Sequence, residues 1–430
     1  MDIAPTIIAY FLPLGITLIA WGSWDDERVR RQAATTVWVL ALAMIAYAAI
    51  GFAFNFGGIG LRPDVPGGLS GLDRMWSPLA GAAGRNWGLV GVEGYLLNAQ
   101  STLPGDLALL FTLFVHQLPL VMTAALIPAL ALADRARLIT ISIITIIVAG
   151  VLVPILNAWA WGGGWLFMLG RDAKFGHGFI DLAGAATTLT AAGFITLAAL
   201  LALRVRRTDV RRTADQANAG SPLKSIFGAI VFAMGWLAWL TTDPILLTNR
   251  SIDLALAATN LLLSGATSAV IATAYGWFTT GRPNATLAAR GLVGGLIAAV
   301  AGAAFVPTGG ALAIGAVAGL WTPIGLHAIS RWLKLDDASG FVATLGFAGV
   351  WSMLAAGLLA DGTYGAGWNG IGVAEYLGVG GQGITGLFAA ANLQNDPGQM
   401  SAQLTGALAV TAVSFIVMWV LLRPFRRSRN

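Results

Sequence analysis

Eleven apolar stretches divide this chain, and charged or turn-forming connectors separate them. About 20 apolar residues in a helix cover the roughly 30 Å hydrocarbon core of a bilayer. A backbone crossing lipid must satisfy its polar groups internally, so such stretches form α-helices. The expected spans are 5–23, 34–56, 107–132, 138–159, 179–203, 224–243, 252–278, 286–305, 308–331, 339–360 and 402–422. Composition agrees: 10% of the residues are charged and 57% are hydrophobic, with mean hydropathy +0.76. A soluble domain carries about 25% charged residues. The 55 glycines supply the small surfaces that let helices approach closely in lipid. The chain reads as an all-α polytopic membrane protein, one transmembrane domain over residues 1–430.

The connectors set the orientation. "DDERVRRQ", "ADRARL", "RVRRTDVRRTADQ", "TGRPN", "RWLKLDD" and the tail "RPFRRSRN", with their short flanks, carry all but six of the 25 Lys and Arg. The six are Arg62, Arg74, Arg85, Arg171, Lys174 and Arg250. This asymmetry puts the tail at 423–430 in the cytoplasm and, with an odd number of spans, the N-terminus outside. The opening "MDIAPTIIAYF" lacks a basic n-region and a cleavage site, and reads as the start of a retained helix. Two long connectors, 58–104 and 361–401, face outward; rich in Gly, Pro and Trp, they read as an ordered cap. The net charge of +5 follows from membrane topology and implies no nucleic-acid partner.

Little in the chain suggests catalysis. Cysteine is absent, which excludes disulfides, thiolate metal sites and Cys nucleophiles. No His/Asp/Glu cluster has metal-ligand spacing, and Glu27, Glu93 and Glu375 all fall in expected connectors. No cofactor is implied. One internal echo stands out. "TLTAAG" (Thr188–Gly193) in the fifth span and "TLGFAG" (Thr344–Gly349) in the tenth share T-L-x-x-A-G. Spans five apart run in opposite directions, as an inverted repeat of five plus five helices requires; such repeats place a pathway near the bilayer midplane.

Several segments together resemble the ammonium transporter (Amt/Mep/Rh) family. "WAWGGGWL" (Trp159–Leu166) and "HGFIDLAGAATTL" (His177–Leu189) are similar to its outer-mouth Trp-Gly-Gly-Gly and H-G-x-x-D-F-A-G-G-x-x-x-H. "MGWLAWL" (Met234–Leu240), the run from Gly281 to Leu320, and "LDDASGFVATLGFAGVWSMLAAGLLA" (Leu335–Ala360) follow its later motifs in order. The resemblance covers nearly the whole chain. It implies a homotrimer in a cell membrane, with one narrow apolar pore per subunit. The family's two pore histidines fall on Leu189 and Leu345, a conserved Asp falls on Gly340, and its outer-gate aromatics fall on His116 and Leu120. The gate's neighbouring Gln is kept as Gln117. The aromatic of the external cation site is Trp239, and the small hydroxyl residue beside it is Asp243. The longer C-terminal segment that helps contact a PII signalling protein is missing, so a PII-type partner is not expected.

The resemblance assigns roles that the residues themselves leave open. Trp161, Trp239, Asp243 and Asp181 would recruit a cation at the outer mouth. A cation over an indole face gains roughly 0.5–2 kcal/mol, although Trp is also common in the interfacial belt. Asp181 is either a helix cap or a cation contact. Asp243 is either an Asp-Pro turn or a charge in the vestibule. His116, with Gln117 and Leu120, stands at the outer gate. It is either a neutral core group or a partial replacement for the missing imidazoles. Leu189 and Leu345 form the constriction, and leucine can neither donate nor accept a proton. An ammonium ion stripped of water there loses many kcal/mol. The reading taken is a membrane channel or transporter for ammonia/ammonium that lacks the twin-histidine relay. A channel for a neutral gas or small amine, and a non-conducting receptor or structural subunit, remain alternatives.

Overall fold

The computed structural model describes residues 4–62, 65, 67–69, 71–78, 87–98, 104–205, 221–249, 251–370 and 381–425. The basic connector at 206–216 and the tail end at 426–430 lie outside the described residues, as do stretches of both long connectors. Several helices begin where a side-chain oxygen takes the unpaired N–H groups of a first turn. Helix α1 spans Phe11–Gly22. Asp25 accepts from the Arg28 N–H at 2.7 Å and opens α2, Asp26–Ala46, which continues through a π-turn to Phe56. Helix α3 is Pro104–Ala131. Helix α4, Leu138–Ile147, runs on through a π-turn into Val153–Ala160. Helix α5 is Ala185–Ala202 and α6 is Pro222–Thr241. Asp253 caps α7, Leu254–Thr280, and Asn284 caps α8, Ala285–Val300. Helix α9 is Thr308–His327. Helix α10 opens as a π-helix, Val342–Phe347, and continues as Ala348–Leu359. Asp396 caps α11, Pro397–Leu422.

Among the described residues, nine helices are long and apolar enough to cross a membrane. They coincide with nine of the expected spans. The other two expected spans are apolar helices of shorter length, Thr6–Gly22 and Ala285–Val300. The second stops early for a local reason. Residues 301–306 turn away from the helix, and the buried Asn260 side chain of α7 donates to the carbonyls of Ala303 and Val306, both at 2.8 Å. The fifth span also starts later than expected, at Ala185, because Ala183 (φ 54°) and Gly184 (φ 70°) are left-handed.

The bundle has a centre and a rim. The apolar window of α5 is 89% buried, whereas those of α7 and α11 are 33% and 28% buried. Helix α5 therefore sits inside, and it packs on α3, α10 and α11. Its crossing with α10 is a backbone-to-backbone contact at Gly193 and Gly346; a methyl group at Gly193 would collide with the Gly346 Cα. Apolar side chains gain little from meeting each other rather than lipid tails, so close approach and interhelical hydrogen bonds hold such crossings. Elsewhere, Ser264 and Ser268 of α7 donate to the Gly295 and Gly291 carbonyls of α8 at 2.7 and 2.6 Å. At one end of the bundle, the described parts of the first long connector fold against the helices. Strands β1 (Met75–Trp76) and β2 (Val90–Gly91) pair antiparallel, and the Trp159 indole donates to the Leu89 carbonyl at 2.8 Å.

Candidate functional site

Helices α3 and α6 bring three of the expected residues into one buried cluster. His116 and Trp239 lie 123 positions apart and stack with ring centroids 5.1 Å apart at 19°. Each also bonds the other's backbone. The Trp239 indole N–H donates to the His116 carbonyl at 3.0 Å, and His116 Nε2 lies 2.7 Å from the Trp239 carbonyl oxygen. A carbonyl only accepts, so Nε2 carries the proton; in a neutral ring Nδ1 is then an acceptor. Nδ1 sits 3.7 Å from Asp243 Oδ2. Neither atom has a hydrogen-bond partner among the described residues, and both residues are fully buried.

Asp243 forms the expected turn and leaves one oxygen over. Its Oδ1 accepts from the Ile245 and Leu246 N–H groups at 2.8 and 2.9 Å and so ends α6 in a tight turn. That leaves Oδ2 aimed at the histidine. The aromatic wall continues along α6, with Trp236 stacked on Trp239 at 5.7 Å and Phe232 on Trp236 at 5.3 Å. Gln117, next to His116, is fully buried with both ends of its amide unpartnered. Leu120, one turn on from His116, is fully buried as well.

Trp161 belongs to a second cluster, and a residue the sequence reading had counted only as topology joins it. The Arg62 guanidinium lies 4.2 Å from the Trp161 ring centroid and 4.2 Å from that of Phe167. Its Nη1 donates to the Trp161 carbonyl at 2.7 Å. Trp161 also stacks on Trp368 at 6.1 Å, and Trp368 meets Phe305 edge-on at 5.5 Å. The aromatic platform at Trp161 thus already carries a cation belonging to the chain.

Asp181 spends both oxygens on the start of α5. Oδ1 accepts from Ala186 N–H at 2.9 Å and Oδ2 from Thr187 N–H at 2.6 Å. A carboxylate at this position satisfies orphan donors and meets the positive end of the helix dipole. The segment leading into it is clamped by α11. Gln399 accepts from His177 N–H and donates to the Gly178 carbonyl, both at 2.9 Å. Gln403 accepts from Ile180 N–H at 2.8 Å and donates to the carbonyls of Ile180 and Met353 at 2.9 and 3.0 Å. Burial pushes the His177 imidazole down to about 4, so it is neutral at physiological pH. Sequence reasoning missed Gln399 and Gln403. The one available signal was two glutamines a turn apart on an otherwise apolar helix.

Leu189 and Leu345 are both fully buried within one hydrophobic core, and neither faces lipid. Leu189 is one turn before Gly193, and Leu345 adjoins Gly346, so both border the α5–α10 crossing. A side chain at Gly349, one turn after Leu345, would collide with the Thr190 hydroxyl of α5. The two segments of the internal echo therefore pack on each other.

Comparison with known proteins supplies the remaining context. The sequence profile of the Ammonium Transporter Family matches residues 1–425. The chain is 27% identical to the ammonium transporter Amt2 of Archaeoglobus fulgidus over 365 residues, covering 83% of this chain and 70% of that protein. It is 30% identical to ammonium transporter 2 of Schizosaccharomyces pombe over 294 residues, 68% of this chain and 52% of the relative. Among solved structures, a "Sensor Amt Protein" superposes with a TM-score of 0.72 at 21% identity, covering 98% of this chain and 91% of the other. Mep2 of Saccharomyces cerevisiae gives 0.71 at 19% identity, with 97% and 85% covered. A match of the profile over nearly the full length, on a bundle of apolar helices of this architecture, establishes that the chain belongs to the ammonium transporter family of multi-pass membrane transport proteins.

Proposed function

We propose that this protein takes ammonium at the His116–Asp243 pair and passes it onward as ammonia through a throat that carries no proton. The observation behind this reading is the pair of unpartnered acceptors, His116 Nδ1 and Asp243 Oδ2, 3.7 Å apart beside the Trp239 indole. Buried acceptors facing each other need a donor within hydrogen-bonding reach of both. Ammonium has four N–H donors and no acceptor, so it can bond both atoms at once. The charge of Asp243 and the indole stack favour a cation there. When an N–H bond of ammonium breaks, its proton goes to His116 Nδ1, and the carboxylate stabilises the imidazolium. Ammonia continues, and the proton returns to the side it came from. Leu189 and Leu345 cannot relay that proton, which supports an electroneutral step there.

The resemblance to the family suggests a homotrimer in the cell membrane, with the His116–Asp243 end facing outward. Asp181 supports the mouth by fixing the start of α5 rather than by touching the solute. The test is a parallel recording in proteoliposomes of ammonium-evoked current and ammonia-driven pH change. The reading expects a pH change above that of protein-free vesicles and no matching current. A current that accounts for the whole uptake refutes the proton-inert throat. Silence in both recordings supports a non-conducting role for the same scaffold.

A further inference from the structure

The two leucines stand beside hydroxyl groups that have no hydrogen-bond partner among the described residues. Thr188 and Thr190 flank Leu189 on α5, and Thr344 precedes Leu345 in the π-helix that opens α10. All three are buried, and none of the three Oγ1 atoms has a hydrogen-bond partner among the described residues. Thr187, next to them on α5, is likewise unpartnered among the described residues, whereas several threonines elsewhere in the bundle behave differently. Thr123, Thr145, Thr196 and Thr322 each donate to the carbonyl one turn back, at 2.7, 2.9, 2.7 and 3.0 Å.

Local geometry contributes to the difference. One turn back from Thr188 is the left-handed Gly184, outside the helix. Thr344 sits in a π-helix, a wider turn found disproportionately at functional sites. Thr190 lies against Gly349 of α10. The dipeptides Thr188-Leu189 and Thr344-Leu345 occupy matching places in the internal echo, and their helices pack together. Gln117, whose amide is also unpartnered, adds a fourth such side chain on α3, which packs on α5 as well. Three orphaned hydroxyls on the two segments that cross call for a hydrogen-bonding occupant, because buried polar groups in native proteins are otherwise nearly always paired.

We infer that Thr188, Thr190 and Thr344 line the throat at the leucine pair and make it selective for a small neutral solute that both donates and accepts hydrogen bonds. This deepens the function proposed above and rests on it. Each hydroxyl offers one donor and two acceptor lone pairs. Ammonia has one acceptor and three donors and fits that lining. An apolar gas gains nothing from it. A hydroxyl takes up no proton near neutral pH, so the lining passes the molecule without relaying a charge.

The test uses Thr188→Val, Thr190→Val and Thr344→Val, singly and together, in proteoliposomes of the full chain. Ammonia-driven pH change and thermal melting are both read. Each single variant is expected to lose several-fold in ammonia flux and the triple variant about tenfold or more. The melting temperature should hold or rise, since valine removes a hydroxyl the protein does not bond. Thr→Ser at the same positions keeps the hydroxyl and should retain the flux. A triple variant that conducts at the wild-type rate overturns the inference and leaves the proposed function standing. If the triple variant does not fold, three single variants at the wild-type rate overturn it equally. A wild type that moves no ammonia overturns the proposed function, and this inference with it.

Discussion

Replacing Asp243 by Asn removes one charge and leaves the local fold in place. Both backbone N–H groups that hold the turn bond Oδ1, and an asparagine carbonyl oxygen can keep them. The atom that changes is Oδ2, 3.7 Å from His116 Nδ1. A unit cation about 4 Å from the carboxylate, at an effective dielectric of about 20, gains about 4 kcal/mol. The asparagine dipole and the indole retain part of this, so a net loss of about 1.5–3 kcal/mol is expected, roughly tenfold to hundredfold in affinity. Ammonia-driven pH change, measured against ammonium concentration in proteoliposomes, should show half-saturation rising by that factor. Melting of the detergent-solubilised variant should stay close to wild type. An unchanged half-saturation in a folded Asp243→Asn protein refutes the placement of the cation site.

Other perturbations test the scaffold that holds the site. Gly193→Val drives a side chain into the Gly346 backbone and should destabilise the bundle by about 2–4 kcal/mol, read by thermal melting. Gln403→Leu strands the Ile180 N–H and the carbonyls of Ile180 and Met353. At about 1–3 kcal/mol for each unsatisfied buried group, it should lower the melting temperature and the flux together, whereas Gln403→Glu should keep the bond from Ile180. His177 is held near 4 in the fold against about 6.5 in an unfolded chain. The unfolded state therefore binds this proton first, and stability is full above about pH 6.5 and falls toward pH 4, by on the order of 3 kcal/mol. His177→Asn should flatten that part of the melting profile; an unchanged slope would show that other groups cause it.

Much of this architecture is written in local sequence. Apolar length fixes where helices form, and Asp25, Asp253, Asn284 and Asp396 mark where several of them start. The turn at Asp243 was legible in the Asp-Pro pair. The rest depends on partners distant in sequence. Arg62 reaches Trp161 across 99 positions, and Gln403 reaches Ile180 across 223. Composition gives no hint of either, since an arginine in an outer connector satisfies topology anyway. The late start of α5 escaped for a different reason: the residues around Asp181 are apolar enough to read as part of the span, while the left-handed turn at Ala183 and Gly184 breaks the helix. Likewise, the π-turn at Val342–Phe347 has no signature in an apolar run, yet it surrounds Leu345.

Replacing Leu189 and Leu345 together with histidine, and recording charge moved per ammonia taken up in matched vesicles, puts the throat itself to the test. The wild type should take up ammonia with no accompanying charge, and the double variant should carry an ammonium current because two imidazoles can hand a proton across. A wild type already carrying one charge per ammonia, at a ratio the histidines do not change, would contradict the idea of an oily passage that leaves the proton behind.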